Sequence, residues 1–482
     1  MITKLVEALA ARKMSALELV KHTIAGIERL DHRLNAVVVR DFARAQASAM
    51  AADAALARGE RRPLLGIPIT LKEAFNVAGL PTTWGNPQFK DYVATNDAVV
   101  VSRLKSAGAV IVGKTNVPAQ LGDMQSYNDL YGTTNNPWDL GRTPGGSSGG
   151  AAAALAAGFG ALGLGSDLGG SLRVPAHFCG VFAHKPSLAL IPERGHTPPA
   201  IVPVPRDSDL AVIGPMATSA SDLMLALDVL AGPDEERAGI GYRLALPPPR
   251  HENLKSFRAL VIDCHPLLPT GNAVGSALAR LAERLARTGV KVAHASPLLP
   301  DLAESARIFM RLWSSFRAAM APPNVYAEMR SAAAALSPDD ASLAAERARG
   351  AVMSHRDWFA ADVARARLRQ QWRMVFQEWD VVLCPVMGVP AFVHDHSLPI
   401  EARQIAIDGK ACRYRDAHLV WSELATTSAL PATTVPIDLS DSGLPIGIQI
   451  VGPYLEDRTT IAFAEHIERT FGGFRAPPGY AD

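Results

Sequence analysis

The sequence predicts an α/β fold, and three observations support this class. Segments with helical periodicity alternate with short apolar segments typical of buried strands. The chain has 482 residues, of which 48% are hydrophobic and 20% are charged, which is enough to bury a large core. Strand-like segments continue toward both ends, and no linker-like stretch interrupts them. We therefore expect a single domain over residues 1–482.

The N-terminal part of the chain begins with a predicted helix over residues 15–31. Ser15 and Glu18 have the spacing of a capping box, and an apolar face with helical periodicity follows them. The next predicted elements are a strand at 34–39, a helix at 41–60, a strand at 66–72, a helix and then a strand within 97–116, where Gly108 marks the turn, and a helix at 149–158.

The C-terminal half continues the alternation. Strands are predicted at 258–264, 290–295, 381–386, 432–439 and 445–452, with helices at 273–289 and 459–471. Residues 301–375 have helical periodicity and are rich in Ala, Arg and aromatic residues, so we expect a predominantly helical insertion or cap there.

Composition and charge exclude several classes of partner. The chain has 48 Lys and Arg against 47 Asp and Glu, a net charge of +1, without the basic footprint of a nucleic-acid or membrane-surface binder. We therefore expect a small ligand that is not strongly anionic.

The four cysteines are far apart and form no CxxC pair, and the first residues lack the apolar core of a signal peptide. These features predict a cytoplasmic protein.

A glycine- and serine-rich stretch carries no charge from Thr143 to Ser166. Its glycines and serines disfavour a membrane span, and its alanine-rich centre is typical of a helix and not of a flexible linker.

Residues 145–149 match GxSxG, the nucleophile elbow of α/β-hydrolases, which would need a histidine from the candidates His355, His394 and His418. Residues 158–163 match GxGxxG but follow a helix instead of a strand, and no P-loop lysine is present, so nucleotide binding is disfavoured.

An alternative hypothesis combines a serine with a lysine. Ser171 lies among glycines that could turn several N–H groups toward one point, as an oxyanion requires. A serine needs a base, and a buried lysine can serve because burial disfavours its cationic form. Lys72 ends the apolar run of residues 66–71, which is typical of a buried strand. A solvated or ion-paired lysine remains the ordinary interpretation of such a position.

Several segments together resemble the amidase signature family. The segment GIPITLKE at 66–73 resembles its lysine strand, GGSSGG at 145–150 its serine loop, and GSDLGGSLRVPA at 165–176 its core motif. Similar blocks occur at 113–116, 136–138, 214–216 and 444–449, so the resemblance covers nearly the whole chain. It implies a large central mixed, twisted β-sheet covered on both faces by α-helices.

The resemblance also implies a Ser-cisSer-Lys triad. Lys72 would be the general base, Ser147 would relay protons after a cis bond from Gly146, and Ser171 would be the nucleophile. The N–H groups of Leu168, Gly169, Gly170 and Ser171 would form the oxyanion hole. The implied reaction hydrolyses a small amide through an acyl-enzyme and requires no metal or organic cofactor.

Further residues receive roles from the same resemblance. Asp167 and Arg173 would brace the core motif, and Met124, Gln125 and Ser126 would approach the substrate. Enzymes of this kind commonly form homodimers. The segment His394-Asp395-His396 could suggest a metal site, but without nearby partners of matching spacing we expect a surface loop and no metal.

The sequence departs from the family pattern at three places. Leu168 replaces a common threonine, and changes at 183–192 weaken assignment to the amidase subunit of a tRNA-dependent amidotransferase. Changes at 426–432 are expected to reshape the pocket for the acyl group. A stand-alone amidase is therefore favoured. The alternatives are the amidotransferase subunit and a related esterase or carbamate hydrolase. A non-catalytic or binding member of the family is a further alternative, which the intact positions Lys72, Ser147 and Ser171 disfavour.

Overall fold

A computed structural model describes residues 1–199, 201–206 and 208–480. The strands are β1 Val37–Arg40, β2 Pro68–Lys72, β3 Val110–Thr115, β4 Tyr127–Asn128, β5 Gly132–Thr133, β6 Leu162–Asp167, β7 Phe182–Lys185, β8 Val212–Ala217, β9 Arg258–Val261, β10 Lys291–Ala293, β11 Val381–Pro385, β12 Gln404–Ile407, β13 Lys410–Arg413, β14 Ala432–Leu439 and β15 Pro445–Val451.

The helices flank the strands. They are α1 Ile2–Ala10, α2 Ala16–Leu34, α3 Phe42–Ala57, α4 Val99–Ser106, α5 Gly149–Ala156, α6 Arg173–Cys179, α7 Ala220–Leu230, α8 Asn272–Arg287, α9 Leu302–Ala318, α10 Pro323–Ala334, α11 Leu343–Ala351, α12 His355–Glu378, α13 Tyr414–Thr426 and α14 Asp457–Phe471. None of the helices in the described part of the chain is long and apolar enough to cross a membrane.

Eleven strands form one sheet in the order β1-β3-β2-β6-β8-β7-β14-β15-β11-β9-β10. Strands β3, β2 and β6 are parallel neighbours, as are β11, β9 and β10, whereas the strands between these groups pair antiparallel. The expected α/β class with a large central mixed sheet is confirmed. Assignment of the chain to a single domain stays a prediction.

Local sequence signals account for many of the elements. The capping box at the start of α2 is present, since the Ser15 hydroxyl accepts the Glu18 N–H at 3.0 Å and the Glu18 carboxylate accepts the Ser15 N–H at 2.8 Å. The sequence did not single out β6, because Gly163 and Gly165 interrupt its apolar pattern. A glycine is needed at 165, since a Cβ there would come within 2.7 Å of the Ser148 Oγ.

Two features of the fold place the candidate site. Helix α5 is buried along its whole length, which explains why its residues are almost all alanine and glycine. The predicted helical region at 301–375 contains α9 to α12. Helices α9 and α13 lie beside the glycine loop that follows β6. A Cβ at Gly169 in this loop would come within 3.4 Å of the Trp313 Nε1 on α9 and within 2.8 Å of the Leu419 Cδ2 on α13.

Candidate active site

The candidate site lies where β2 and β6 end. These strands are parallel neighbours, with Leu71 opposite Leu164, so their carboxyl ends meet at the same edge of the sheet. Lys72 is the last residue of β2, and Ser166 and Asp167 end β6. Ligands of open α/β sheets bind outside the carboxyl ends of strands, which makes this edge the expected place for chemistry.

Lys72 is fully buried and has two hydroxyl partners. Its Nζ lies 2.6 Å from the Ser147 Oγ and 3.0 Å from the Ser166 Oγ. Burial lowers the pKa of Lys72 from 10.5 to about 7, against an opposing effect of the Asp167 charge. A large fraction of Lys72 is therefore neutral near pH 7, as a general base requires.

Ser147 lies in the glycine loop before α5, and its peptide bond with Gly146 is cis, as the resemblance implies. A Cβ at Gly146 would come within 2.7 Å of backbone atoms of residues 123–125, so glycine allows the two loops to pack closely. The Ser126 hydroxyl bridges the glycine loop, because it donates to the Gly145 carbonyl at 3.0 Å and accepts the Gly149 N–H at 3.1 Å.

Ser171 precedes α6 and is partly exposed, whereas Lys72 and Ser147 are buried. The Ser148 N–H donates to the Ser171 carbonyl at 3.2 Å and joins the two serine loops. The Ser148 hydroxyl in turn contacts the backbone of Ser166, at 3.3 Å from its carbonyl oxygen and 3.4 Å from its nitrogen. The structure therefore brings the three predicted triad residues to one edge of the sheet.

The four N–H groups predicted to form an oxyanion hole differ in their hydrogen bonds. The Gly170 N–H donates to the Asp167 carboxylate at 2.8 Å, so it is already engaged. The N–H groups of Leu168, Gly169 and Ser171 have no protein acceptor within the described residues. These three groups are available to an oxyanion.

Asp167 and Arg173 form a buried ion pair at 2.9 Å, and both side chains are inaccessible to solvent. The Asp167 carboxylate also accepts the Leu172 N–H at 3.0 Å. Burial alone would raise the pKa of Asp167, but the charge of Arg173 and these hydrogen bonds outweigh it and lower the pKa to about 2. Arg173 also donates to the Ser422 carbonyl at 3.0 Å and to the Gln449 Oε1 at 2.9 Å. The pair thus holds the loop of residues 168–172, between β6 and α6, against α13 and β15.

Ser166 is a site residue that the sequence analysis missed. Its hydroxyl contacts the Lys72 amine because β2 and β6 are neighbours, and no spacing along the chain shows that pairing. A neutral amine has two N–H donors and one lone pair. If Ser166 accepts one N–H, the lone pair remains free to face Ser147.

The three residues predicted to approach substrate are buried and contact neighbouring parts of the protein. Met124 packs in an apolar cluster with Leu419 and others. The Gln125 side chain pairs with the backbone of Asp395, donating at 2.6 Å and accepting at 3.0 Å, and Ser126 bridges the glycine loop as described above. Contact of these three residues with substrate stays a prediction.

The histidines that a nucleophile elbow of the α/β-hydrolase type would need do not contact the serine of the GxSxG motif. That serine, Ser147, contacts Lys72. His394 contacts the Asn135 Oδ1 at 3.2 Å, His418 is buried within α13 and contacts the Tyr414 carbonyl, and His355 lies at the start of α12. The arrangement favours the lysine-based hypothesis.

The two histidine rings of the His394-Asp395-His396 segment contact protein groups. The ring of His396 stacks on Tyr127 with 3.7 Å between centroids, and its neighbour His394 is hydrogen-bonded to protein. Across residues 1–199, 201–206 and 208–480, no group of three or more His, Cys, Asp or Glu side chains is arranged to hold a metal ion.

Comparison with known proteins identifies the family of this chain. Residues 18–461 match the family model described as Amidase. The chain is 30% identical to the fatty-acid amide hydrolase 2-A of Danio rerio over 98% of this chain and 89% of that protein. It is 32% identical to a glutamyl-tRNA(Gln) amidotransferase subunit of Anaeromyxobacter sp. (strain K), over 97% of this chain and 96% of that protein. A solved amidase structure superposes with a TM-score of 0.76 at 26% identity, covering 98% of this chain and all of that one (100%).

The chain therefore belongs to the amidase signature family, whose members are hydrolases that act on amide carbon–nitrogen bonds. The resemblance stated from the sequence motifs is confirmed.

Proposed function

We propose that the protein is a stand-alone serine amidase that hydrolyses a small carboxylic amide to the acid and ammonia or an amine. The observation that carries this proposal is the buried Lys72 amine, 2.6 Å from the Ser147 hydroxyl at the edge of the sheet where Ser171 is partly exposed. A relay of this kind supplies the base that a serine nucleophile needs. The lysine acts as the base, so the proposed mechanism calls for no metal or organic cofactor.

Acylation begins with a proton transfer. Neutral Lys72 takes the Ser147 proton while Ser147 takes the proton of Ser171, and the Ser171 Oγ forms a bond to the amide carbon. The carbonyl oxygen becomes an oxyanion that accepts the N–H groups of Leu168, Gly169 and Ser171. Ser166 holds the Lys72 amine in position during the transfer.

Collapse of the tetrahedral intermediate breaks the carbon–nitrogen bond. Ser147 donates its proton to the leaving nitrogen and regains one from the Lys72 ammonium, so the lysine is neutral again. Water then gives one proton to the same relay and bonds to the acyl carbon. The bond between that carbon and the Ser171 Oγ breaks, and the relay returns its proton to Ser171, which releases the acid and leaves Lys72 neutral.

The residues beside the nucleophile loop indicate an apolar acyl group. Gly169 faces the side chains of Leu419 and Trp313. Leu168, Trp313 and Trp358 are partly buried and pack against the same apolar cluster. Apolar walls with a few polar groups are typical of sites for small organic ligands. We propose aryl or short aliphatic acids as the acyl part.

The compartment and assembly state are part of the proposal. All four cysteines are free thiols, which is compatible with a reducing cytoplasm. The enzyme requires no partner chain in this proposal, although a homodimer is compatible with it.

Release of amine from simple amides and anilides by the purified chain tests the proposal. Ser171→Ala is expected to abolish turnover and Lys72→Ala to reduce it nearly as much, whereas the matched variant His394→Ala stays within a few-fold of wild type. Activity that survives in Lys72→Ala and disappears in His394→Ala would refute the lysine-based relay.

The same panel separates the alternatives. An amidotransferase subunit, to which the chain is also similar, would hydrolyse free amides weakly without companion chains. Faster turnover of esters or carbamates than of amides would redirect the assignment to those substrates.

A further inference from the structure

A tryptophan and an arginine on α9 lie beside the loop of residues 168–172. Trp313 and Arg317 are one helical turn apart, so their side chains lie on the same face of α9. The Trp313 Nε1 is 3.4 Å from the position that a Cβ of Gly169 would take. The Arg317 guanidinium carbon lies 5.6 Å from the centroid of the Trp313 ring. The indole thus connects the guanidinium to the loop whose free N–H groups are available to an oxyanion.

Both side chains have donors that the protein does not use. The Trp313 Nε1 is accessible to solvent and has no hydrogen-bond acceptor within the described residues. Arg317 is exposed and has no carboxylate within ion-pair distance in the same part of the chain. Although solvent reaches Arg317, the protein around it and then the charge of Arg415 lower its pKa to about 10. The guanidinium is therefore a cation at pH 7 that lines a recess.

Arg415, on α13, adds a second positive charge at the same place. Its guanidinium carbon lies 5.9 Å from the centroid of the Trp313 ring, and its Nη1 donates to the Gly122 carbonyl at 3.1 Å. A Cβ at Gly122 would come within 3.2 Å of the Arg317 Nη2, so both guanidiniums border this residue. The acidic partner of Arg415 is Glu401, 3.8 Å away and 69% exposed, which makes this ion pair weak.

Two other acids in the neighbouring sequence already have partners. Asp123, which follows Gly122, pairs with Arg403 at 2.6 Å. Asp416, which begins the next turn of contacts on α13, pairs with Arg347. Because the whole chain has a net charge of only +1, the excess of positive charge around Trp313 is local.

This positive charge extends toward the loop of residues 168–172. Burial, and then the charge of Arg415, lower the pKa of His418 well below its ordinary value, and the charge of Arg317 acts in the same direction. The next residue, Leu419, has its Cδ2 2.8 Å from the position of a Cβ at Gly169. The potential of the two guanidiniums therefore reaches a residue that adjoins the wall of this loop.

A carboxylate fits these donors and this charge. The planar guanidinium can donate two parallel hydrogen bonds to a carboxylate, and the indole N–H is a donor without acceptor capacity. An anion would also reduce the repulsion between two guanidiniums that border one residue. Since Leu419 and the Trp313 ring are apolar, a short aliphatic chain fits between the carboxylate and the reacting carbonyl.

We propose that the Arg317 guanidinium and the Trp313 Nε1 bind a carboxylate at the far end of the acyl group, so that the preferred substrates are monoamides of short dicarboxylic acids. This inference rests on the proposed acyl transfer at Ser171 and narrows its substrate class. Arg415 contributes its charge. These side chains hold the acyl group and take no part in the transfer of protons.

The test uses pairs of anilides that differ in the charge at the far end of the acyl group. The mono-4-nitroanilides of succinic, glutaric and adipic acid carry a carboxylate, and a methyl ketone replaces it in each matched compound. For at least one length, kcat/KM of the carboxylate compound should exceed that of the ketone by about tenfold or more. This ratio should fall with added salt, because salt screens an ion pair that solvent reaches.

Variants assign the preference to particular donors. Arg317→Gln should lower the ratio of carboxylate to ketone activity by about tenfold, whereas Arg317→Lys, which keeps the charge, should retain part of it. Trp313→Phe keeps a ring without the N–H and should also lower the ratio. The matched control Arg330→Gln removes an exposed arginine on α10 and should leave the ratio unchanged.

Two results would overturn the inference. One is a ratio near one in the wild-type enzyme for all three chain lengths. The other is the same ratio in Arg317→Gln as in the wild type, because a preference that survives loss of the cation does not depend on it. An unchanged ratio in Trp313→Phe would refute the contact with the indole.

A binding measurement keeps this inference separate from the proposed function. Ser171→Ala and Ser171→Ala/Arg317→Gln are titrated calorimetrically with the three carboxylate anilides. Weaker binding by the double variant supports the contact, and equal behaviour of the two proteins, including no binding by either, overturns it. Absence of turnover of every amide by the wild-type enzyme would count against the proposed function instead.

Discussion

The pH dependence of turnover tests the electrostatic core of the site. Burial lowers the pKa of Lys72 from 10.5 to about 7, a shift that corresponds to about 5 kcal/mol. With a pKa of about 7, about nine-tenths of the lysine is neutral at pH 8, whereas only about 0.3% of an unperturbed lysine would be. The burial of this one amine therefore makes about 300-fold more of the base form available.

The expected profile follows directly. Acylation needs neutral Lys72, so kcat/KM for an uncharged anilide should rise with pH, with a midpoint near 7, and should be about tenfold lower at pH 6 than at its plateau. Release of the aniline is followed between pH 5.5 and 9, and circular dichroism at each pH confirms that the protein stays folded. A profile that is flat over this range, or a midpoint above 9, would contradict a buried lysine base.

The same shift fixes the sign of a stability effect. Between pH 7 and 10.5 the unfolded chain binds more protons at Lys72 than the folded chain does. The contribution of Lys72 to the free energy of unfolding therefore rises with pH across this window. Below pH 7 the full penalty of the buried cation applies.

Three further predictions concern the loops. Gly146→Ala should lower the free energy of unfolding in a urea titration by about 1–3 kcal/mol and reduce activity, because its Cβ would meet backbone atoms of the adjoining loop. The control Gly26→Ala in α2, where a Cβ would have no atom within 4 Å, should be neutral or stabilising in the same titration. Asp167→Asn should cost about 3–5 kcal/mol in chemical unfolding, because it leaves the buried Arg173 charge unpaired, and a loss below 1 kcal/mol would contradict this account. Ser166→Ala should lower kcat about tenfold or more with little change in KM, since it removes a contact that orients the Lys72 amine; an unchanged kcat would show that this contact does not affect the chemistry.

Local signals in the sequence predicted some features of the site well. The apolar run ending at Lys72 indicated a buried strand, and β2 is buried throughout. The capping box at Ser15 predicted the start of α2. Such features depend on residues a few positions apart, so the sequence shows them directly.

Other features depend on contacts between distant segments. Ser166 meets Lys72 only because β6 pairs with β2, and Arg173 reaches Gln449 across 276 positions of the chain. The N–H of Gly170 looked available from the glycine pattern, but the Asp167 carboxylate turns back to bind it. Neither strand order nor the direction of a carboxylate can be deduced from spacing alone.

The Asp167–Arg173 pair explains how an acidic residue can lie beside a lysine that must stay neutral. Asp167 shapes the nucleophile loop through the N–H groups of Gly170 and Leu172, which requires its ionised form. That negative charge raises the pKa of Lys72 and so opposes the base form. Burial of the amine outweighs this effect and lowers the pKa of Lys72 to about 7. Arg173, 2.9 Å from the carboxylate, lowers the pKa of Asp167 to about 2 and so keeps Asp167 ionised, which lets the loop use a carboxylate beside the proposed base.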